Sequence, residues 1–273
     1  WEKDTDYWPD TGTSFAAPMV GGVAAQVIGY GRAHSMPTDP LLVKAVLLSS
    51  ARHVKDVNGS GWSWRDGAPD PDHRYLIDQP LDDQQGAGAV DALAAYDLYA
   101  KRRTRSSPLN IWREGKLKGN QVYDLKLGSL KAGQTLSTTL TWYRHIGYKD
   151  KNDNGPDGAD TYYQTAPLAD FTLELLRDGV PVAMSDSDVD NLEHLSWTLE
   201  RNGHYTLEVY RFAEGGIASE PFAVAAQVMA AQTAALRRSM ALDGGEAAAF
   251  AAAPEPSAAF FALAVIFLRR RRR

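Results

Sequence analysis

The chain has 273 residues, 44% of them hydrophobic. That excludes a disordered chain and is enough for about two domains with cores of their own, at roughly 100–200 residues each. It contains no cysteine, so disulfides and thiolate metal centres are excluded, and its formal charge is −5. The last five residues are all arginine, so the rest of the chain carries about −10, and an acidic body with a basic tip argues against nucleic acid as a partner.

The sequence opens WEKDTDYWPD, with neither an initiator methionine nor a charged-then-apolar secretion signal, and the expectation is that its beginning is missing. From Ser14 to Tyr30 nearly every residue is small or apolar, with Gln26 as the polar interruption, which predicts a helix buried almost all round. Thr13 suits its N-cap and Pro18 the edge of its first turn. A second helix is predicted through PTDPLLVKAVLLSSA, capped by Thr38 or Asp39 with Pro40 at the first helical position. The turn-rich GSGWSWRDGAPDPDHRY follows. Next comes QQGAGAVDALAAYDLY, a tight glycine turn feeding a short amphipathic helix.

After KRRTRSSP the period changes. QTLSTTLTWY, DFTLELLRDG, LSWTLERNG and HYTLEVYRF alternate apolar and polar residues and end in Gly, Asn or Asp turns, the pattern of an antiparallel sandwich. Beyond Val228 the chain is alanine-rich and weakly patterned until PEPSAAFFALAVIFLRRRRR.

GTSFAAPMVGG resembles the nucleophile motif of the subtilisin-like serine proteases, in which Gly-Thr-Ser precedes a small residue, Ala-Pro and a helix. VKAVLLSSA is similar to the family's next helix, and GAGAVDALAA to the Gly-x-Gly turn that closes its catalytic domain. The resemblance spans Thr11 to about Tyr99 and implies that Ser14 is the nucleophile of an Asp-His-Ser triad acting through an acyl-enzyme. A serine at a helix N-terminus has its backbone N–H outside the hydrogen-bond ladder with the positive end of the dipole beneath it, so the Ser14 N–H suits an oxyanion donor. The competing reading is a helix cap with small neighbours. The family's order implies that the Asp, the His and a second oxyanion donor from Asn precede the serine, and the expectation is that they were encoded before Trp1. Asp10 is too close to Ser14 to orient a histidine. His34, His53 and His73 lack the family's His-Gly-Thr context and read as surface or structural. A serine without its base is a poor nucleophile.

The region from about Ser106 to Val228 resembles, more loosely, the β-sandwich domains that follow many bacterial subtilisin-like catalytic domains, and nothing in it suggests a second active site. DKNDNGPDGAD begins like a calcium loop at Asp150 but places Thr161 where a bidentate glutamate is required, so an EF-hand reading fails. DSDVDN sets Asp186, Asp188 and Asp190 at alternate positions; they could converge on a structural calcium, or be solvated turn carboxylates. A mixed site with His194 is a weaker variant.

The tail resembles the PEP C-terminal sorting signal of Gram-negative bacteria, carried by Pro254, Glu255 and Pro256, an apolar run and terminal arginines. The apolar run from Ala258 to Leu268 is about 17 Å long as a helix, short of the ~30 Å hydrocarbon core. Five arginines would hold the end on the cytoplasmic side.

The expectation is therefore an α/β partial subtilisin-like catalytic domain (1–105), an all-β, jelly-roll-like sandwich (106–228), an alanine-rich linker (229–252) and a sorting tail with a short hydrophobic helix (253–273). The expected function is an exported serine endopeptidase needing no cofactor for catalysis. Its expected partners are a protein or peptide substrate, an exosortase-type sorting enzyme and, through the tail, the membrane. Its expected location is the cell surface or medium after crossing the inner membrane. The alternative is a surface-sorted β-sandwich binding module joined to an inactive protease remnant.

Overall fold

Among the described residues there are three helices, and local signals set the starts of two of them. A computed structural model describes residues 12–53, 68–69, 75–77, 79–82, 86–151, 155, 160–212 and 217–231. Helix α1 runs Thr13–Ala33, α2 Pro40–Ser49 and α3 Ala92–Tyr99. Asp39 caps α2 by accepting the Leu41 N–H at 2.9 Å, with Pro40 pre-set for the first turn. Asp91 caps α3 through the Ala94 N–H at 2.9 Å. The turn before α3 needs Gly88: its φ is +115°, and a Cβ there would fall 2.5 Å from the Arg52 carbonyl oxygen. α1 begins differently from its sequence expectation, with Gly12 rather than Thr13 as N-cap, no side-chain cap, and Pro18 inside the helix.

Among the described residues ten strands follow the helices. They are β3 (Leu109–Leu117), β4 (Gln121–Leu130), β5 (Thr135–Trp142), β6 (Ile146–Lys149), β7 (Thr161–Gln164), β8 (Phe171–Arg177), β9 (Val180–Ser185), β10 (Leu192–Thr198), β11 (Gly203–Arg211) and β12 (Glu220–Met229). Two short strands, β1 (Ala68–Pro69) and β2 (Tyr75–Ile77), precede α3. One sheet has the order β1-β2-β9-β8-β11-β4, a second β10-β5-β12-β3, and β6 pairs with β7 alone. All pairings are antiparallel except β2 with β9. Asp178 and Gly179 take φ of 52° and 79° between Arg177 and Val180, the two-residue hairpin turn that Asp-Gly favours.

Period-two alternation sorts the side chains into two cores. Leu136, Leu140, Trp142, Leu195, Phe222 and Val224 face the other sheet, where Phe171, Leu173, Leu175, Leu207 and Val209 meet them. The opposite face of the four-stranded sheet offers Ala223, Ala225 and Trp112, on which Leu41, Leu42, Val46, Leu98 and Tyr99 pack. Small residues there let α2 approach closely enough for Ser49 to donate to the Ala225 carbonyl at 3.0 Å and Thr141 to the Leu41 carbonyl at 2.9 Å. Trp112 stacks on Tyr99 at 5.9 Å between ring centres and donates its indole N–H to the Tyr99 carbonyl at 2.7 Å.

The fold class differs from the α/β expectation. The described residues are mostly antiparallel β-structure with three helices, and no subtilisin-like α/β core is present among them. The physical reason lies in what the helices cover. An α/β core needs parallel strands sheathed on both faces, whereas here the helices coat one face of an antiparallel sheet whose other face packs on a second sheet. The described residues belong to a unit spanning Trp1–Ala231, and a second unit spans Gln232–Arg273. The expected C-terminal apolar helix is not found, because residues 232–273, including Pro254, Glu255 and Pro256, lie outside the described residues. Among the described residues no helix is long and apolar enough to cross a membrane.

Candidate functional site

Ser14 occupies the first turn of α1 with its side chain exposed. The Phe15 and Ala16 N–H groups both turn back onto the Gly12 carbonyl, at 3.0 and 3.2 Å, while the Ser14 N–H has no acceptor among the described residues. Pro18, four residues on, has no N–H with which to close the turn on the Ser14 carbonyl. Both main-chain groups of Ser14 therefore stand outside the regular ladder. The helix expected to be buried nearly all round is instead exposed from Gly12 to Gly22, with Phe15 and Met19 at 53% and 65%; its buried residues are Val27 and Gly31. Hydrophobic periodicity reports that a face needs a partner, and among the described residues none packs on this half.

No described histidine hydrogen-bonds Ser14. His34 ends the same helix, about 30 Å away at 1.5 Å per residue; it stacks on Tyr30 at 3.9 Å and its Nδ1 lies 2.8 Å from the Tyr30 carbonyl oxygen. His53 is half-buried, its pKa lowered chiefly by burial with the Asp82 carboxylate opposing. His73 lies outside the described residues.

The three aspartates of DSDVDN occupy the loop between β9 and β10. Asp186 accepts the Thr172 hydroxyl at 2.7 Å and Asp190 the Ser187 hydroxyl at 2.8 Å, while Asp188 is exposed. Among the described residues no group of three metal-ligating side chains could hold an ion.

Of the most buried polar pair, the sequence singled out only His194, as a weaker metal ligand, and left Glu193 unread. Glu193 and His194 are adjacent on β10, so the strand's alternation sends them to opposite faces. Glu193 shares the inward parity of Leu195 and Trp197 and reaches the other sheet. The Ser185 hydroxyl of β9 donates to its Oε2 at 2.5 Å and the Ser187 N–H to its Oε1 at 3.0 Å. Burial pushes its pKa up to about 9; the hydrogen bonds from Ser185 and Ser187 pull the other way, and Asp186 and Asp190 add to the rise. His194 faces the helical layer, its Nδ1 2.8 Å from the Thr139 hydroxyl, and burial, with His53 nearby, lowers its pKa to about 3. At 0% and 1% exposure neither can meet a substrate, so the pair is structural. An acid at an inward position of LEHLSW was the available signal.

A second buried acid, Glu220, accepts His145 Nε2 at 2.8 Å and the Tyr143 N–H at 3.3 Å. It ties down the root of the β6–β7 ribbon, where the Thr165 N–H also donates to the His145 carbonyl at 2.9 Å. That ribbon exposes Ile146, Tyr148, Tyr162 and Tyr163.

No protein-family model matches the chain, and no curated protein matches its sequence. Partial likeness to solved structures is found. A periplasmic inhibitor of g-type lysozyme from Aeromonas hydrophila, PliG, is 17% identical over 45% of this chain and 87% of its own, with a TM-score of 0.27. The Yersinia pseudotuberculosis-derived mitogen is 15% identical over 45% and 89%, at 0.26. PliG of Salmonella Typhimurium is 17% identical over 43% and 88%, at 0.21. These TM-scores are far below those of a shared fold.

Proposed function

We propose that the chain is part of an exported serine endopeptidase in which Ser14 is the nucleophile and its backbone N–H an oxyanion donor. The observation that carries this reading is the placement of Ser14: exposed, in the first turn of a long helix, with its N–H uncommitted among the described residues. Developing negative charge on a tetrahedral intermediate is stabilised at such a position by the N–H and by the helix dipole. The hydroxyl itself needs a base, and a histidine oriented by a carboxylate must come to it from elsewhere in the functional protein. No cofactor is required for this chemistry. Export and processing at Pro254–Glu255–Pro256 by a membrane sorting enzyme complete the proposal, motivated by the tail sequence.

A fluorophosphonate probe tests it. Protein recovered from its native host should be labelled on the peptide containing Ser14, and Ser14→Ala should abolish both the label and peptide hydrolysis. Ser14 is exposed, so the substitution should leave stability within about 0.5 kcal/mol. Unlabelled Ser14 in protein from the host would overturn the reading.

A second reading, a non-catalytic binding module, is favoured by one observation: no described histidine reaches Ser14. Labelling failure would support it.

A further inference from the structure

Charge is distributed unevenly along the chain. Residues 101–118 hold seven lysines and arginines against a single acid, Glu114, a net of +6 in a chain whose total is −5. All seven cationic residues are exposed. The fold strings them along one line, because residues 101–108 lead directly into β3, which ends the four-stranded sheet. β3 covers about 30 Å at roughly 3.3 Å per residue.

Counter-charge within the fold is scarce here. Arg102 is bridged to Asp97 at 3.3 Å, but Arg103, Arg105, Lys116 and Lys118 make no ion pair among the described residues. Asp39, the acid near Glu114, is already engaged as the cap of α2 and as acceptor for the Tyr143 hydroxyl at 3.1 Å. β12, which pairs with β3, has no charged residue after Glu220, and Glu220 is fully buried. Two of the cations meet at Trp112. Lys101 Nζ lies 3.7 Å from the centre of its ring, and Arg113 Nη1 donates to its carbonyl at 2.9 Å. Burial and then the Arg113 guanidinium lower the Lys101 pKa, with Glu114 opposing, as expected where like charges crowd.

We propose that the edge of β3 docks an extended polypeptide segment rich in aspartate and glutamate. The excess of cations without counter-ions fixes the sign of the partner. The edge fixes its class. Among the described residues no strand pairs with the outer side of β3. An edge strand presents backbone N–H and C=O groups in a row, which another polypeptide can continue as a ladder and a lipid surface or a polynucleotide cannot. The repeats match as well, since alternate residues of an added strand recur at the spacing of Lys116 and Lys118. β4, the edge strand of the other sheet, carries one aspartate and one lysine, Asp124 and Lys126, and so selects neither sign. The inference is independent of what Ser14 does.

Fluorescence anisotropy on the full chain tests it, with three labelled decapeptides: alternating Glu-Ser, alternating Lys-Ser, and the Glu-Ser sequence methylated on alternate backbone nitrogens. The Glu-Ser peptide should bind, more weakly as salt rises, and the Lys-Ser peptide should not. The methylated peptide keeps the charge but cannot form the ladder, and should bind at least tenfold more weakly. Lys116→Gln with Lys118→Gln should weaken Glu-Ser binding roughly two- to tenfold, the size of two exposed ion pairs. Both positions are exposed, and circular dichroism checks that the variant is folded. Equal binding of the Glu-Ser and Lys-Ser peptides, undiminished binding of the methylated peptide, or indifference to the double substitution in folded protein would each overturn the proposal. So would binding of phosphatidylglycerol vesicles or oligothymidylate with none of the Glu-Ser peptide.

Discussion

The Ser185 hydroxyl and the Glu193 carboxyl meet at 2.5 Å across the gap between the two large sheets, joining the last residue of β9 to the edge strand β10. An acid so placed is kept protonated by burial, and that has a consequence for stability.

With its pKa raised to about 9, Glu193 holds its proton in the fold over a range where the unfolded chain has released it. Its contribution is complete below the ordinary glutamate range and is lost as pH rises through about 9. Each pH unit in that window costs about 1.4 kcal/mol. Glu193→Gln cannot ionise, so urea denaturation between pH 7 and 9 should show a falling midpoint for the native chain and a nearly level one for the variant.

His194 gives the opposite limb. Its pKa is lowered to about 3, so the fold excludes a proton that the unfolded chain binds below about 6.5. Stability from this residue is present above that value and declines as pH falls toward about 3. His194→Gln should flatten the acid side of the same denaturation series, and an unaltered acid limb would place the acid sensitivity elsewhere.

Gly31→Ala should destabilise although alanine is the better helix former. The helix-propensity gain is about 1 kcal/mol, but a Cβ at Gly31 would fall 2.1 Å from the Tyr99 hydroxyl and 2.7 Å from Thr38 Cγ2. Tyr99 cannot yield easily, since it is fully buried and donates to the Pro37 carbonyl at 2.5 Å. Overpacking of this kind costs about 1–3 kcal/mol. A lower melting temperature than that of the native chain is expected.

Glu220→Ala should loosen the β6–β7 ribbon. It removes the acceptor for His145 Nε2 and for the Tyr143 N–H, with an expected loss on the order of 2 kcal/mol. Hydrogen exchange should rise first in Ile146–Lys149 and Thr161–Gln164. Uniform acceleration across all strands would instead mean that Glu220 supports the whole sheet.

The sequence by itself determined whatever is decided within a few residues. Asp39 and Pro40 start α2, Asp91 starts α3, the glycine turn before α3 needs its positive φ, and Asp178-Gly179 closes the β8–β9 hairpin. Each works through a short-range hydrogen bond or a backbone preference, so its signal survives in one dimension. The alternation that marked β5, β8, β10 and β11 belongs to the same class.

Only the tertiary structure decided which faces those elements cover. Val27 is buried and Phe15 exposed on one helix of nearly uniform apolar composition, because burial depends on a partner and no periodicity names one. The expectation of an α/β core, which rested on the resemblance of GTSFAAPMVGG and the two motifs after it, failed because short motifs on helices do not say whether those helices sheathe parallel strands or coat an antiparallel sheet. Glu193 found Ser185, and Gly31 found Tyr99, through contacts that join separate elements of the fold. Such pairings are set by the packing of whole layers, a long-range balance of burial against desolvation that no local stretch of residues encodes.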